Sequence, residues 1–294
     1  MNIPKHLLYP LEPFAASFGE RCDEGGARLK SANVAFVGLA RNCGVRLAQN
    51  LGAIEHLAEQ CGSWQLHIES NDCEDQTLDV LAGFASKHRQ ATFHYQMLGR
   101  EQYGAEFAGR RTIALAEYRT ACQRWVRACA GNSDYVVVID WDMWGGWSPH
   151  GLLNGIGWLV ELPGASGMAS VSLFQHDFGG GVDWYHYDLW ALRGVGQSRC
   201  YWDTYQNGYG GFGYQWLPAV GSPPALVSSA FGGLCIYRTD AYLAGTYDGA
   251  EDCEHVPFHA SIANATGQHL YLNPSQRSLM HWMEPCEETP QPSA

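Results

Sequence analysis

Tyr135-Val136-Val137-Val138-Ile139-Asp140-Trp141-Asp142 is the stretch on which the reading of the fold turns. Three valines and an isoleucine in a row, with no polar residue between them, predict a strand covered on both faces. The strand ends in two carboxylates two residues apart, and in extended backbone such residues project to the same side. Asp140 and Asp142 are thereby expected together at the carboxyl edge of a sheet, where open α/β sheets bind their ligands. Such a pair suits a hard divalent cation and leaves most of its coordination sites for other oxygens. An ordinary solvated turn after a strand would carry the same residues, so the flanking chain has to decide.

Upstream, apolar runs and helical periodicity alternate. A strand over 34–39 leads into a helix carrying Val45, Leu47, Leu51, Ile54 and Leu57, and a second strand over 64–68 follows. Residues 74–87 read as a helix with Leu78, Leu81 and Phe84 inward, capped by Asn71 or Asp72, and 91–96 as a third strand. This is a βαβ series with right-handed crossovers and a parallel sheet. No Gly-X-Gly-X-X-Gly follows the first strand, which disfavours a dinucleotide-binding fold. After a flexible stretch over 97–109, residues 110–130 form a long helix with a basic face of Arg110, Arg111, Arg119, Arg124 and Arg127.

Beyond the carboxylate pair, Ser148-Pro149 supplies good N-cap and N1 residues for a helix toward Val160, and a strand follows over 169–174. Residues 176–216 are rich in Gly, Tyr, Trp and His and poor in aliphatics, so long loops forming a lid or platform are expected there. Gly232-Gly233 enters a further strand, where glycine permits close backbone approach. Glu251-Asp252-Cys253-Glu254-His255 then opens a helix, and the chain runs through a last strand at 269–273 to His281.

Taken in order, these segments resemble nucleotide-sugar glycosyltransferases of the GT-A fold across 33–283. Asp140-Trp141-Asp142 matches their Asp-X-Asp motif, Glu69-Ser70-Asn71-Asp72 their base-reading segment, and Glu251-Asp252-Cys253-Glu254 their acidic helix start. Trp184 to Arg193 resembles an aromatic element of the cryptococcal capsular mannosyltransferase-like and mannan-polymerase-like families and related bacterial family 2-like enzymes. The resemblance implies an α/β fold with a central, mostly parallel sheet flanked by helices and a long aromatic, Gly-rich region on the acceptor side. It implies Mn²⁺ or Mg²⁺ held by Asp140 and Asp142, with His281 as third ligand and His259 as its alternative. Gly38, Arg41, Glu69, Asp72, Arg119 and Asp140 are the implied nucleotide-binding residues. Trp184, Asp188, Trp190, Gly232 and Gly233 are those for sugar and acceptor. For an inverting enzyme Asp252 is the implied base, with Glu251 and Glu254 beside it; for a retaining one Asp252 or Glu254 would instead steady the acceptor and the transition state. The expected activity is transfer of a hexose from a UDP- or GDP-sugar to an acceptor hydroxyl, on a glycan.

The expected organisation is an irregular lead-in over 1–32, one domain over 33–283 in a nucleotide half (33–142) and an acceptor half (143–283), and a polar tail over 284–294. At 46% apolar and 16% charged residues the chain has the composition of a globular protein. Its formal net charge of −12 argues against broad nucleic-acid binding, which needs a basic face. No apolar run is long enough for a membrane span, and the N-terminus lacks a signal-peptide core. Ten cysteines with no two-residue spacing then read as reduced thiols, and the expected location is cytoplasmic. Two other classes fit parts of the pattern. A non-catalytic carbohydrate-binding protein would share the Trp, Tyr and Gly richness. A metal-dependent hydrolase would use Asp140, Asp142, His255 and His259, although Pro257 interrupts the last two.

Overall fold

A computed structural model describes residues 3–104, 106, 109–208 and 211–283, so the polar tail expected over 284–294 lies outside the described residues. The lead-in is not irregular. It contains α1 (Lys5–Leu8), a short 3-10 turn (Glu12–Phe14) and a full helix, α2 (Ala15–Leu29). Gly19, Gly25 and Gly26 depress the helical signal of α2, since glycine is a poor helix former. The lost propensity is offset by close packing: a Cβ on Gly25 would lie 1.8 Å from the carbonyl oxygen of Leu153 on a later helix.

The βαβ series is present as expected. Strands β1 (Asn33–Ala40), β2 (Ser63–Asn71), β3 (Ala91–Gln96) and β4 (Tyr135–Asp140) pair in parallel in the order β3-β2-β1-β4. They are joined by α3 (Gly44–Ala58), α4 (Thr77–Lys87) and α5 (Arg110–Cys129). The first turn of α4 is held by Asp75, which accepts the Thr77 N–H at 2.9 Å, and not by Asn71 or Asp72. The sheet continues through β5 (Gly146–Trp147), β6 (Ala165–Asp177), β7 (Val182–His186), β8 (Arg193–Gly194), β9 (Ala225–Ser229), β10 (Leu234–Arg238) and β11 (His269–His281). Its spine reads β3-β2-β1-β4-β10-β6-β11-β9-β8, with β5 on β11 and β7 on β6. The six longest strands (β1, β2, β3, β4, β6 and β11) run the same way, and β10 is antiparallel between β4 and β6.

Helix α6 (Pro149–Glu161) starts as its sequence predicts, with Ser148 Oγ accepting the Gly151 N–H at 3.0 Å. Residues 176–216, expected as loops, include β7, β8 and two short helices, α7 (Tyr201–Gln206) and α8 (Phe212–Gln215). The remaining helices are α9 (Thr239–Ala244) and α10 (His255–Thr266). Strand β4 is buried from both sides. Val137 and Ile139 belong to the core under α2, α3 and α6, while Val136 and Val138 belong to the core under α5, α9 and α10. That leaves the carboxyl ends of β1, β2 and β4 as the place where polar side chains can gather. Among the described residues no helix is long and apolar enough to cross a membrane.

Candidate active site at the carboxyl edge of the sheet

Two cavities open at this edge. The larger, about 600 Å³, is walled by Arg119, Asp140, Asp142, Asp188, Phe231, Glu254 and a run of aromatic residues. The smaller, about 210 Å³, is walled by Ala40, Arg41, Glu69, Asn71, Gln102 and Tyr118. Tyr103, Arg111, Leu115, Arg119, Asp140 and Asp142 line both, so the carboxylate pair stands where the cavities meet.

The turn after β4 is fixed from below. Trp141 is fully buried, and Asn50 on α3 donates to the carbonyls of Trp141 at 2.9 Å and Met143 at 3.1 Å. With Trp141 locked inward, the two aspartates flanking it face the cavities. The Asp140 N–H donates to the Gly233 carbonyl at 2.8 Å, tying the end of β4 to the double glycine. Gly232 and Gly233 have φ of +69° and +78°, and a Cβ on Gly232 would lie 2.1 Å from the Ser170 carbonyl oxygen. Only glycine fits there. The arrangement aims the Gly232 N–H at Asp188, whose Oδ2 accepts it at 2.8 Å, while Ser278 donates to the Gly232 carbonyl.

Arg119 on α5 is the central cation. Its Nε donates to Glu254 Oε1 at 2.8 Å and its Nη2 to Asp140 Oδ1 at 3.2 Å, and its guanidinium lies 4.7 Å from the centre of the Phe231 ring. Nη1 has no hydrogen-bond partner among the described residues. Although Asp140 keeps 28% of its side-chain exposure, it lies at the bottom of the cleft. Burial, opposed by Arg119 and reinforced by the charges of Asp142 and Asp188, pushes its carboxyl up to about 7. Burial also raises Asp188, against the backbone N–H groups it accepts. Four carboxylates thus face one cleft against a single fully buried guanidinium.

The other expected site residues separate into two groups. Glu69 lines the smaller cavity, its oxygens meeting His67 Nε2 at 3.1 Å and His94 Nδ1 at 2.9 Å. Burial would raise its carboxyl, but these two contacts hold it below the usual range. Trp190 lines the larger cavity beneath the Arg111 guanidinium, 5.2 Å from the ring centre. By contrast, Gly38 is buried under β4, where a Cβ would lie 2.0 Å from the Ile139 carbonyl oxygen, so it serves strand packing. Trp184 is buried against Leu7, Leu173 and Leu279 and does not line the cleft. Arg41 lines the smaller cavity but donates to the carbonyls of Arg100 and Glu101, and Asp72 accepts the amides of residues 98–100.

At the start of α10 the acids divide. Glu254 faces the cleft, Glu251 is exposed, and Asp252 is held by Arg193 Nη2 at 2.6 Å outside the cleft lining. His259 is fully committed: Nδ1 meets Ser229 Oγ at 2.9 Å and Nε2 meets Tyr237 Oη at 2.8 Å. That leaves no nitrogen for a metal and removes a ligand that the hydrolase reading needs. His281 stands in the cleft wall, its ring edge-on to Trp144, Phe174 and Tyr187. Among the described residues no three His, Cys, Asp or Glu side chains are gathered so as to hold a metal. His281 and the two aspartates share the cleft wall without forming such a group.

Several lining residues carried no individual signal in the sequence. Phe174, His176 and Phe178 project from one side of the end of β6, with ring centres 5.9 Å and 4.4 Å apart, and Tyr205 and Tyr214 pack on Phe178. Their i, i+2 spacing at the carboxyl end of a strand was the clue available.

No protein-family model matches the chain, and no curated protein matches it in sequence. Solved structures do. The fold is similar to that of the mannosyltransferase PcManGT from Pyrobaculum calidifontis in complex with GDP-Man and Mn²⁺. The TM-score is 0.50 at 14% identity, over 90% of this chain and 65% of that one. It is also similar to GalNAc-T7 with UDP, GalNAc and Mn²⁺, with a TM-score of 0.50 at 12% identity, over 85% of this chain and 44% of that one. The chain thus spans less than two thirds of either neighbour's own length. The architecture is the GT-A fold.

Proposed function

We propose that the protein is a divalent-metal-dependent glycosyltransferase that moves a hexose from a UDP- or GDP-sugar to an acceptor hydroxyl on a glycan, acting in the cytoplasm. One observation carries the reading: Asp140 and Asp142 stand at the junction of two cavities of unlike character at the carboxyl edge of a GT-A sheet. The smaller cavity, with Glu69, Asn71 and Gln102 in its wall, suits a nucleoside. The larger, with its aromatic wall, suits sugar rings, whose apolar faces stack on aromatic side chains. Both solved neighbours, which hold GDP-Man with Mn²⁺ and UDP and GalNAc with Mn²⁺, support the same reading.

The two aspartates fit a hard cation: both supply oxygen donors, and Asp140 is crowded by the charges of Asp142 and Asp188. Bound there with a donor diphosphate, Mn²⁺ or Mg²⁺ would supply Lewis-acid neutralisation of the leaving group. The protein's own residues do the rest. Arg119 keeps Asp140 oriented. Glu69 and Asn71 line the nucleoside cavity. Asp188, held by the N–H groups of Gly232 and Ala191, presents its carboxylate to the acceptor. In an inverting reaction it is the base that takes the hydroxyl proton. Glu254, committed to Arg119, holds the frame between them. Asp252, the base expected from sequence, is instead assigned to holding Arg193.

The test is a thermal-shift panel of UDP-, GDP-, CMP- and dTDP-sugars with and without Mn²⁺, since a ligand that binds only the native state raises the melting temperature. A metal-dependent rise with one nucleotide, lost in Asp142→Ala, is the expected result. A rise with free glycans alone would replace the transferase with a carbohydrate-binding protein.

A further inference from the structure

Arg41 lines the smaller cavity and Asp72 follows the neighbouring parallel strand, where its Oδ2 accepts from Asn71 Nδ2 at 2.8 Å; both side chains are also bonded to one segment. Asp72 Oδ1 accepts the N–H groups of Leu98 at 2.7 Å and Gly99 at 2.9 Å, and Oδ2 accepts that of Arg100 at 3.2 Å. The Arg41 guanidinium donates to the carbonyls of Arg100 at 2.6 Å and Glu101 at 3.0 Å. Asn42 Nδ2 donates to Gln102 Oε1 at 3.1 Å, while its Oδ1 accepts the Glu74 N–H at 2.8 Å. Arg100 is fastened in turn to α5, through Glu117 at 2.6 Å and the Tyr118 hydroxyl at 3.2 Å.

Backbone conformation points to the same segment. Among the described residues, Asn42 (φ 49°) and Asp72 (φ 46°) are the only non-glycine residues in the left-handed region. One follows β1 and the other follows β2, and both spend a side chain on residues 97–102. Unfavourable backbone states that persist beside a site are held there by their surroundings. The segment so held contributes Gln102 and Tyr103 to the smaller cavity, and Tyr103 also reaches the larger one.

We infer that residues 97–104 form a preset strap that supplies the outer wall of the donor-nucleotide pocket, and that Arg41, Asn42 and Asp72 are positioning residues that set it. The inference rests on the reading of the smaller cavity as the nucleotide pocket. A wall ordered before the nucleotide arrives spares the entropy of ordering it on binding, so the clamp acts on donor affinity and not on the chemical step.

The discriminating variant is Asp72→Gly. Glycine adopts the left-handed backbone without strain. If Asp72 merely tolerated that conformation, the change would be neutral; if it holds the strap, the strap comes loose. Hydrogen exchange at the amides of residues 98–100 and titration calorimetry with UDP and with GDP, each with Mn²⁺, are measured on the full chain. Expected in Asp72→Gly are loss of amide protection and nucleotide binding weaker by about tenfold or more, with the melting temperature little changed. Asp72→Asn, which keeps one acceptor oxygen, should fall between. Should Asp72→Gly fail to fold, Arg41→Met removes the clamp from the other side with the same expected readouts. Retained protection in the glycine variant, or lost protection with wild-type affinity, overturns the inference. A wild-type protein with protected amides that binds neither UDP nor GDP overturns the nucleotide reading itself, and the inference with it.

Discussion

Arg119 on α5 and Glu254 at the start of α10 form a buried ion pair at 2.8 Å, with side-chain exposures of 5% and 3%. The same guanidinium holds Asp140 at the end of β4, so one residue of α5 joins β4 to the start of α10. Removing one partner of a buried pair leaves uncompensated charge, which costs about 3–5 kcal/mol. Arg119→Met is therefore expected to lower unfolding stability by about that amount in urea titrations at neutral pH. Arg119→Lys should recover only part of the loss, because an ammonium cannot reproduce a planar fork that reaches two carboxylates at once.

Asp188 and Asp252 make contrasting predictions. Asp188 faces the aromatic cleft and is fixed by two backbone N–H groups. Loss of a general base typically costs about a hundredfold or more in rate, so Asp188→Asn should lower kcat by at least that factor with donor affinity retained. Asp252 instead neutralises Arg193, a 3% exposed side chain whose Nη1 donates to the carbonyls of Trp190 and Leu192. Asp252→Asn should mainly cost stability, about 1–3 kcal/mol. Steady-state kinetics and denaturant titration of both variants check this, and the opposite pattern would return the base to Asp252.

The parts of this architecture that were legible in the sequence are those where local composition and tertiary role agree. An unbroken β-branched run could only be a doubly covered strand, and Val136 to Ile139 indeed alternate between two cores. Strand periodicity placed the carboxylates at the sheet edge, but β4 ends at Asp140 and Asp142 lies in the turn beyond it. Legibility ended where two environments demand the same residue type. A helix start welcomes acids, so spacing could not say that Glu254 would turn into the cleft and Asp252 toward Arg193. Arginine on a helix reads as a solvated face, which hid the burial of Arg119. Arg41 and Asp72 were expected to bind the nucleotide; Arg41 lines the smaller cavity, but the way both side chains turn depends on a loop 59 and 27 residues away in sequence.

Burial pushes His186 down to about 3 from an ordinary 6.5, helped by the nearby Arg277 charge. The folded state therefore keeps this ring neutral, while the unfolded chain takes up a proton below 6.5. Its contribution is present above 6.5 and is lost as pH falls toward about 3. Neighbouring carboxylates titrate too, so the effect is isolated by difference. Relative to wild type, His186→Phe should gain about 1.4 kcal/mol of stability for each pH unit below 6.5. Urea titrations of both proteins at pH 7.5, 6 and 5 provide the check; a stability difference that does not change with pH would mean the imidazole is already charged in the fold.

Gly25 and Gly26 are adjacent in α2, and propensity alone assigns both the same outcome on replacement by alanine. Packing separates them. A Cβ on Gly26 meets nothing within 4 Å, so Gly26→Ala should stabilise the protein by about 0.5–1 kcal/mol. A Cβ on Gly25 would lie 1.8 Å from the Leu153 carbonyl oxygen and 2.9 Å from the Gly157 amide nitrogen, both backbone atoms of α6. Backbone cannot step aside as a side-chain tip can, and overpacking of this kind costs about 1–3 kcal/mol or more. Gly25→Ala is thus expected to lower the melting temperature while its neighbour raises it. Equal shifts in the two variants would mean that α2 does not dock on α6 in solution and that the N-terminal segment is the loose lead-in its composition suggests.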